Sequence, residues 1–264
     1  MFTLTSLLIF LFGCAAILLL IFFSFYCFFI MYDIIPPMRV PRPIKRSFGR
    51  ETEFMEDQSI RPFKLVYCEN EFEKIKNKIK MDLGNLLFNS MGSLHPISSE
   101  EVCYGMNINY IKDVADYWVN KFDWQRHVNT LNFSRQFVTQ ISGLDIHFIH
   151  VKPPQVISAS ITAYPILLLH SFPTSGIQYT AYEFSSLIPL LVTNNGSRII
   201  FEVVAPTLPG HGWSEAASEA GLDGCQAGFI MHELMTRLGY TKYFIHGGGP
   251  GGLVAEQIAA IHPE

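Results

Sequence analysis

The stretch YFIHGGGPGGLVAEQIAA runs from Tyr243 to Ala260, and glycine fills five of the six positions 247–252. An apolar, aromatic run leads into the glycines and an alanine-rich run follows at once. This pattern predicts strand, tight turn and helix in immediate succession. Such a junction leaves free backbone N–H groups pointing outward at the helix N-terminus, where a phosphate or a reactive side chain can sit. Gly247, Gly249 and Gly252 satisfy G-x-G-x-x-G, the spacing of a dinucleotide turn. That motif normally follows the first strand of its unit and has an acidic residue about 20 positions further on. Here at least two expected parallel strands come first and no such acid follows. A nucleophile elbow accounts for more. It places the reactive side chain at the tip of a strand-to-helix turn, with small residues two positions to either side. Gly247 and Gly251 are then the small flanks, and Gly249 holds the nucleophile position without a side chain.

Upstream, the sequence alternates between apolar strands and helices. YPILLLHSF and SRIIFEVVAP read as buried strands, AYEFSSLIPLLV and GCQAGFIMHELMTRLGY as helices, and TKYFIHG as the strand that enters the elbow. Alternation of this kind predicts an α/β fold with a parallel sheet covered by helices on both faces. FVTQISGLDIHFIHV (Phe137–Val151) alternates with period two around Ser142-Gly143 and reads as a β-hairpin. NEFEKIKNKIKMDLG spaces Phe72, Ile75, Ile79 and Leu83 as one face of a helix, with Asn70 as its cap and Gly84 as its stop. NINYIKDVADYWVNKFDW repeats that pattern as a second helix.

The 264 residues carry a net charge of −4, which excludes the basic footprint of a nucleic-acid binder. Cys14, Cys27, Cys68, Cys103 and Cys225 form no C-x-x-C pair, so neither a disulfide framework nor a zinc site is expected. His211, His232 and His246 have no metal-ligand spacing and read as surface or core histidines. Trp213 reads as packing. No metal or cofactor is expected.

The first 32 residues contain no charged side chain. LLIFLFGCAAILLLIFFSFYCFFIM (Leu7–Met31) would span about 37 Å as a helix, against about 30 Å of hydrocarbon. The start MFTLTS carries no base, and bulky residues stand where a signal peptidase needs small ones. Residues 1–32 are therefore expected to be a retained transmembrane anchor, with the lipid bilayer as its partner. Arg39, Arg42, Lys45, Arg46 and Arg50 follow the span, and the positive-inside rule places the bulk of the chain in the cytosol. Residues 33–60, with IPPMRVPRPIKR at their core, read as a stiff, solvated proline/basic linker. The sequons at Asn132 and Asn195 would be silent on that side of the membrane.

Beyond these patterns the chain resembles the microsomal epoxide hydrolase family, within the α/β-hydrolase fold. The matching stretches are RPFKLVYCENEFEKIKNKIK, YGMNINYIKDVADYWVNKFDW, LDIHFIHVKP, LLLHSFPTSG, FEVVAPTLPGHGWSEAAS and RLGYTKYFIHGGGPGG, in the family's order from Arg61 onward. The resemblance implies a family N-terminal segment over 61–152 and part of an α/β-hydrolase domain over 153–264. It also implies an endoplasmic reticulum or other intracellular membrane location, and a hydrophobic epoxide or lipid ligand. The family opens epoxides with an aspartate in a G-G-D-W-G elbow. A histidine–acid pair then hydrolyses the ester, and lid tyrosines hold the epoxide oxygen. By position the aspartate falls on Gly249 and the next residue, an oxyanion donor, on Pro250, which has no N–H. The family's H-G-W-P loop is His170-Ser171-Phe172-Pro173 here, leaving Phe172 as the oxyanion-hole candidate and His170 as a loop-shaping residue. The tyrosines, acid and histidine belong to the family's later half, which lies beyond Glu264. The expectation is a pseudoenzyme, truncated and catalytically silent. The alternatives are a fragment of an active hydrolase, or a non-catalytic member that binds lipid or a partner.

Overall fold

The computed structural model describes residues 17–24, 26–27, 42–49, 56–88, 108–154, 161–172, 184–194, 196 and 198–263, with side chains of 85–88 and 108–109 excepted. It divides into two compact units, Met1–Arg42 and Pro43–Glu264. In the first unit residues 17–24 and 26–27 are helical, with exposed leucines and phenylalanines. The rest of the expected span lies outside the described residues. Among those described, no helix is long and apolar enough to cross a membrane.

The second unit is built on a six-stranded mixed sheet. Its strands are β1 (Arg61–Phe63), β2 (Gln136–Ile141), β3 (Leu144–Val151), β4 (Thr162–Leu169), β5 (Ile199–Pro206) and β6 (Phe244–Gly247), arranged in the order β1-β2-β3-β5-β4-β6. The pairings from β1 to β5 through β2 and β3 are antiparallel, whereas β4 runs parallel to both β5 and β6. The β2–β3 hairpin closes on Ser142 and Gly143, both at positive φ, in a two-residue loop whose twist suits the strands it joins. Pro165 lies inside β4 yet breaks no ladder on the β6 side, because β6 begins opposite Ile166.

Six helices accompany the strands: α1 (Glu69–Phe88), α2 (Ile108–Asn120), α3 (Trp124–Leu131), α4 (Leu187–Val192), α5 (Gly224–Arg237) and α6 (Pro250–Ile261). On one sheet face Leu144, Ile146, Leu167, Leu169 and Val204 pack with Ile230, Met231 and Leu234 of α5 and Val254 and Ile258 of α6. On the other face Ile149, Leu168, Val203 and Ala205 meet Leu131 of α3, Phe184 and Ile188. Both faces are thus covered, as a buried parallel sheet requires.

Three local expectations need correction. Gly84 does not stop α1, which continues to Phe88; a side chain there would meet open space, so this glycine answers no packing or turn demand. Asn70 lies within the first turn rather than capping it. The second helix is in fact two. Asp123 accepts a hydrogen bond from the Arg126 amide and starts α3 three residues after α2 ends.

The segment expected to be a solvated linker is partly core. Phe48 is 0% exposed and belongs to the cluster under α5 and α6. Its N–H donates to the Ser142 carbonyl at 2.8 Å, and its carbonyl accepts from the Ser218 amide at 2.9 Å. The Arg46 guanidinium lies over its ring at 4.6 Å and donates to the Ala220 carbonyl. Further along, Glu56 pairs with Arg237 and accepts from the Ser142 amide. One base of this stretch, Arg46, is therefore committed to fastening it to the loop before α5.

Candidate functional site

The three loops that follow β4, β5 and β6 gather at the carboxyl ends of the parallel strands, where open α/β sheets bind ligands. Each is shaped by a different local constraint.

The β6–α6 junction is a sharp turn whose tip, Gly249, has φ 53 and ψ −126. This backbone conformation is costly for any residue with a side chain. The flanks are as constrained as the tip. A Cβ at Gly247 would lie 2.4 Å from the Gly251 carbonyl oxygen, and one at Gly251 would lie 2.5 Å from that of His170. Backbone therefore passes against backbone where α6 leaves the sheet, and only glycine fits both flanks. Pro250 occupies the first helical turn, where its fixed φ suits the helix and its missing N–H leaves no intrahelical bond unmade. The tip itself is exposed.

The loop after β4 begins with His170, which is fully buried. Its Nδ1 lies 3.1 Å from the Ser171 carbonyl, and its Nε2 accepts the Leu208 N–H at 2.9 Å. These partners fix the Nδ1–H tautomer, and burial holds the imidazole below its ordinary pKa despite the Ser171 carbonyl. His170 thus ties the β4 loop to the β5 loop and has no nitrogen left to act as a base. Phe172 is 58% exposed, and its backbone N would lie 3.6 Å from a Cβ at Gly249. Pro173 lies outside the described residues.

The loop after β5 closes on itself and on the hairpin. Ser214 Oγ donates to the Thr207 carbonyl at 2.7 Å and accepts the His147 N–H at 2.9 Å. His211 brings its ring to 5.4 Å from His170 and 6.1 Å from Phe172, with Nδ1 3.0 Å from the Pro209 carbonyl. Behind this loop stands His147, which alternates with the apolar Ile146 and Phe148 along β3. It is fully buried, held between Thr207 Oγ1 at 2.8 Å and Gln136 Oε1 at 2.9 Å. Phe63 and Trp213 meet its ring edge-on. Burial pushes its pKa down to about 4, so the ring is neutral. Trp213 is packing, as its sequence context suggested. His232 is not near these loops; it stacks on His262 at 3.6 Å and bonds the Tyr243 hydroxyl. Among the described residues no group of three His, Cys, Asp or Glu side chains is placed to hold a metal ion.

A mixed sheet covered by helices on both faces, with a glycine-flanked turn at the carboxyl edge, defines an α/β-hydrolase-type protein. Residues 60–179 match the family described as epoxide hydrolase N terminus. The chain is 39% identical over 219 residues to epoxide hydrolase 1 of Sus scrofa, covering 81% of this chain and 45% of that protein. To juvenile hormone epoxide hydrolase of Manduca sexta it is 34% identical over 240 residues, covering 89% and 48%. Among solved structures, juvenile hormone epoxide hydrolase from Bombyx mori superposes with a TM-score of 0.69 at 30% identity, over 83% of this chain and 54% of that one. The chain belongs to the epoxide hydrolase family. It spans about half the length of the curated relatives it matches.

Proposed function

We propose that this protein is an epoxide-hydrolase scaffold that does not carry out the family's reaction. That reaction converts an epoxide and water to a diol through an ester on an aspartate at the elbow. The observation that carries the reading is the tip of the β6–α6 turn, which has the backbone form of a nucleophile-bearing elbow and is occupied by Gly249. Covalent epoxide opening needs a carboxylate there to attack the ring carbon. Gly249 offers none, and Pro250 offers no N–H to a developing oxyanion; loss of one such donor alone costs on the order of 10²–10³ in rate. Phe172 keeps its backbone N–H beside the tip, so an oxygen-bearing hydrophobic ligand retains one donor without meeting a nucleophile.

The uncharged run Leu7–Met31 followed by bases supports a single-pass anchor in an intracellular membrane, with the bulk of the chain cytosolic. The ligand class is then a membrane-partitioned epoxide or lipid. Because the matched relatives are about twice as long, a second reading makes these residues part of a larger hydrolase. In that reading too, an elbow with glycine at 249 forms no aspartyl ester.

Intact-mass measurement tests the reading. The purified protein, incubated with excess aromatic or fatty epoxide and then denatured, should show no increment on any carboxylate. An increment equal to one epoxide, mapped to a carboxylate in this chain, would overturn it. Retention in the pellet after carbonate extraction is the expected result for the anchor, and release into the supernatant would contradict it.

A further inference from the structure

We infer that Ser171 fills the space above the elbow tip that a side chain at position 249 would need, so that residues 171 and 249 form a matched pair. The inference rests on the reading of Gly249 as the nucleophile position. A Cβ built on Gly249 would lie 2.7 Å from Ser171 Oγ, well inside van der Waals contact. The other two nearest atoms, the Phe172 backbone N at 3.6 Å and Ser171 Cβ at 3.7 Å, would allow an ordinary contact. The Ser171 hydroxyl is thus the sole obstruction among these neighbours, and the rest of the tip still has room for a side chain. His170 fixes the serine in place, because its own Nδ1 engages the Ser171 carbonyl and its Nε2 engages Leu208.

The consequence is specific to this chain. Glycine at the tip and serine in the loop after β4 accommodate each other, and an uncharged hydroxyl stands beside the tip. A carboxylate at position 249 would require the hydroxyl to swing aside about its Cα–Cβ bond, out of the rotamer it now holds. A side chain at 249 is therefore accommodated only with a shift of the Ser171 hydroxyl. Glycine at 249 is held both by its backbone conformation and by this neighbour.

A double-mutant cycle on the full chain in detergent separates the two constraints. The backbone strain of Gly249→Ala is common to both backgrounds and cancels; the contact with Oγ is present only with Ser171. Ser171→Ala alone keeps Cβ and sets the baseline of the second background. Gly249→Ala should lower it, and the loss should be about 2–4 °C smaller in the Ser171→Ala background. Equal losses in both backgrounds would overturn the inference. Should Gly249→Ala not accumulate as folded protein, its recovery in the double variant is the supporting result, and failure of both variants is the overturning one. The cycle measures stability alone. Diol formation by the unmodified chain would therefore refute the proposed inactivity and leave this pairing standing, whereas additive losses would remove the pairing and leave the inactivity intact.

Discussion

Replacing Phe48 with alanine should destabilise the second unit as a core mutation does, although the residue lies in a stretch whose sequence reads as linker. The ring is wholly buried among Ile141, Leu144, Met231 and Leu234 in the main cluster. Truncating a buried phenylalanine costs about 3–5 kcal/mol through lost transfer energy and the cavity left behind. The Arg46 guanidinium over the ring adds about 0.5–1 kcal/mol. Against a typical domain stability of about 5–15 kcal/mol, this is roughly a quarter of the total or more. For a unit of this size, about 2–4 °C of melting temperature per kcal/mol predicts a drop of about 7–24 °C. The assay is urea or thermal unfolding of the full chain in detergent, with Val66→Ala, at an 82% exposed site, as the control. A loss below about 1 kcal/mol for Phe48→Ala would refute the claim that Phe48 is part of the core.

Three further outcomes follow from the site's surroundings. His147 has a folded pKa of about 4 against an ordinary 6.5, so its contribution to stability is complete above pH 6.5 and is lost as pH falls toward 4, by about 3 kcal/mol in all. Unfolding midpoints between pH 7 and 4.5 should fall more steeply for the natural chain than for His147→Gln; parallel slopes would contradict this. The Asn132 carboxamide donates to the Leu65 carbonyl and accepts from the Leu65 amide, both at 2.9 Å, so Asn132→Ala should cost about 1–3 kcal/mol in denaturant unfolding. Gly251→Ala would bring a Cβ to 2.5 Å from the His170 carbonyl oxygen, so it should abolish accumulation of folded protein in an expression assay; a variant as stable as the parent would show that the elbow yields where its backbone packing says it cannot.

The parts of the fold legible in sequence were those written in local pattern. The Ser142-Gly143 hairpin, the alternation of β4, α4, β5, α5 and β6, and the glycine elbow all follow from periodicity and turn chemistry between near neighbours. What pattern did not give depends on contacts distant in the chain. Phe48 is one aromatic residue after a run of prolines and bases, and only Ser142, Ser218 and the α5–α6 face make it core. His147 alternates with Ile146 and Phe148 as an outward residue should, yet the sheet is buried on both faces and its outer side is closed by Phe63, Trp213 and Thr207. Asp123 carries the helix break as a capping residue, but NINYIKDVADYWVNKFDW reads as one amphipathic helix across it. At the site, position 249 could be read from the spacing of its flanks. Ser171 could be seen as a departure from the family's loop, but its meaning needed the distance to the elbow, 78 positions away in the chain.

Diol formation is the direct measure of the proposed inactivity. The full-length chain, purified in detergent or kept in its membranes, is incubated with a labelled aromatic or fatty epoxide, and product is counted against a boiled control. With Gly249 at the elbow tip and Pro250 beside it, the expected result is no diol above background. Diol produced at enzymatic rates, and abolished by substituting a residue within 1–264, would show that another group of this chain opens the epoxide and that the glycine tip is not the site of a lost nucleophile.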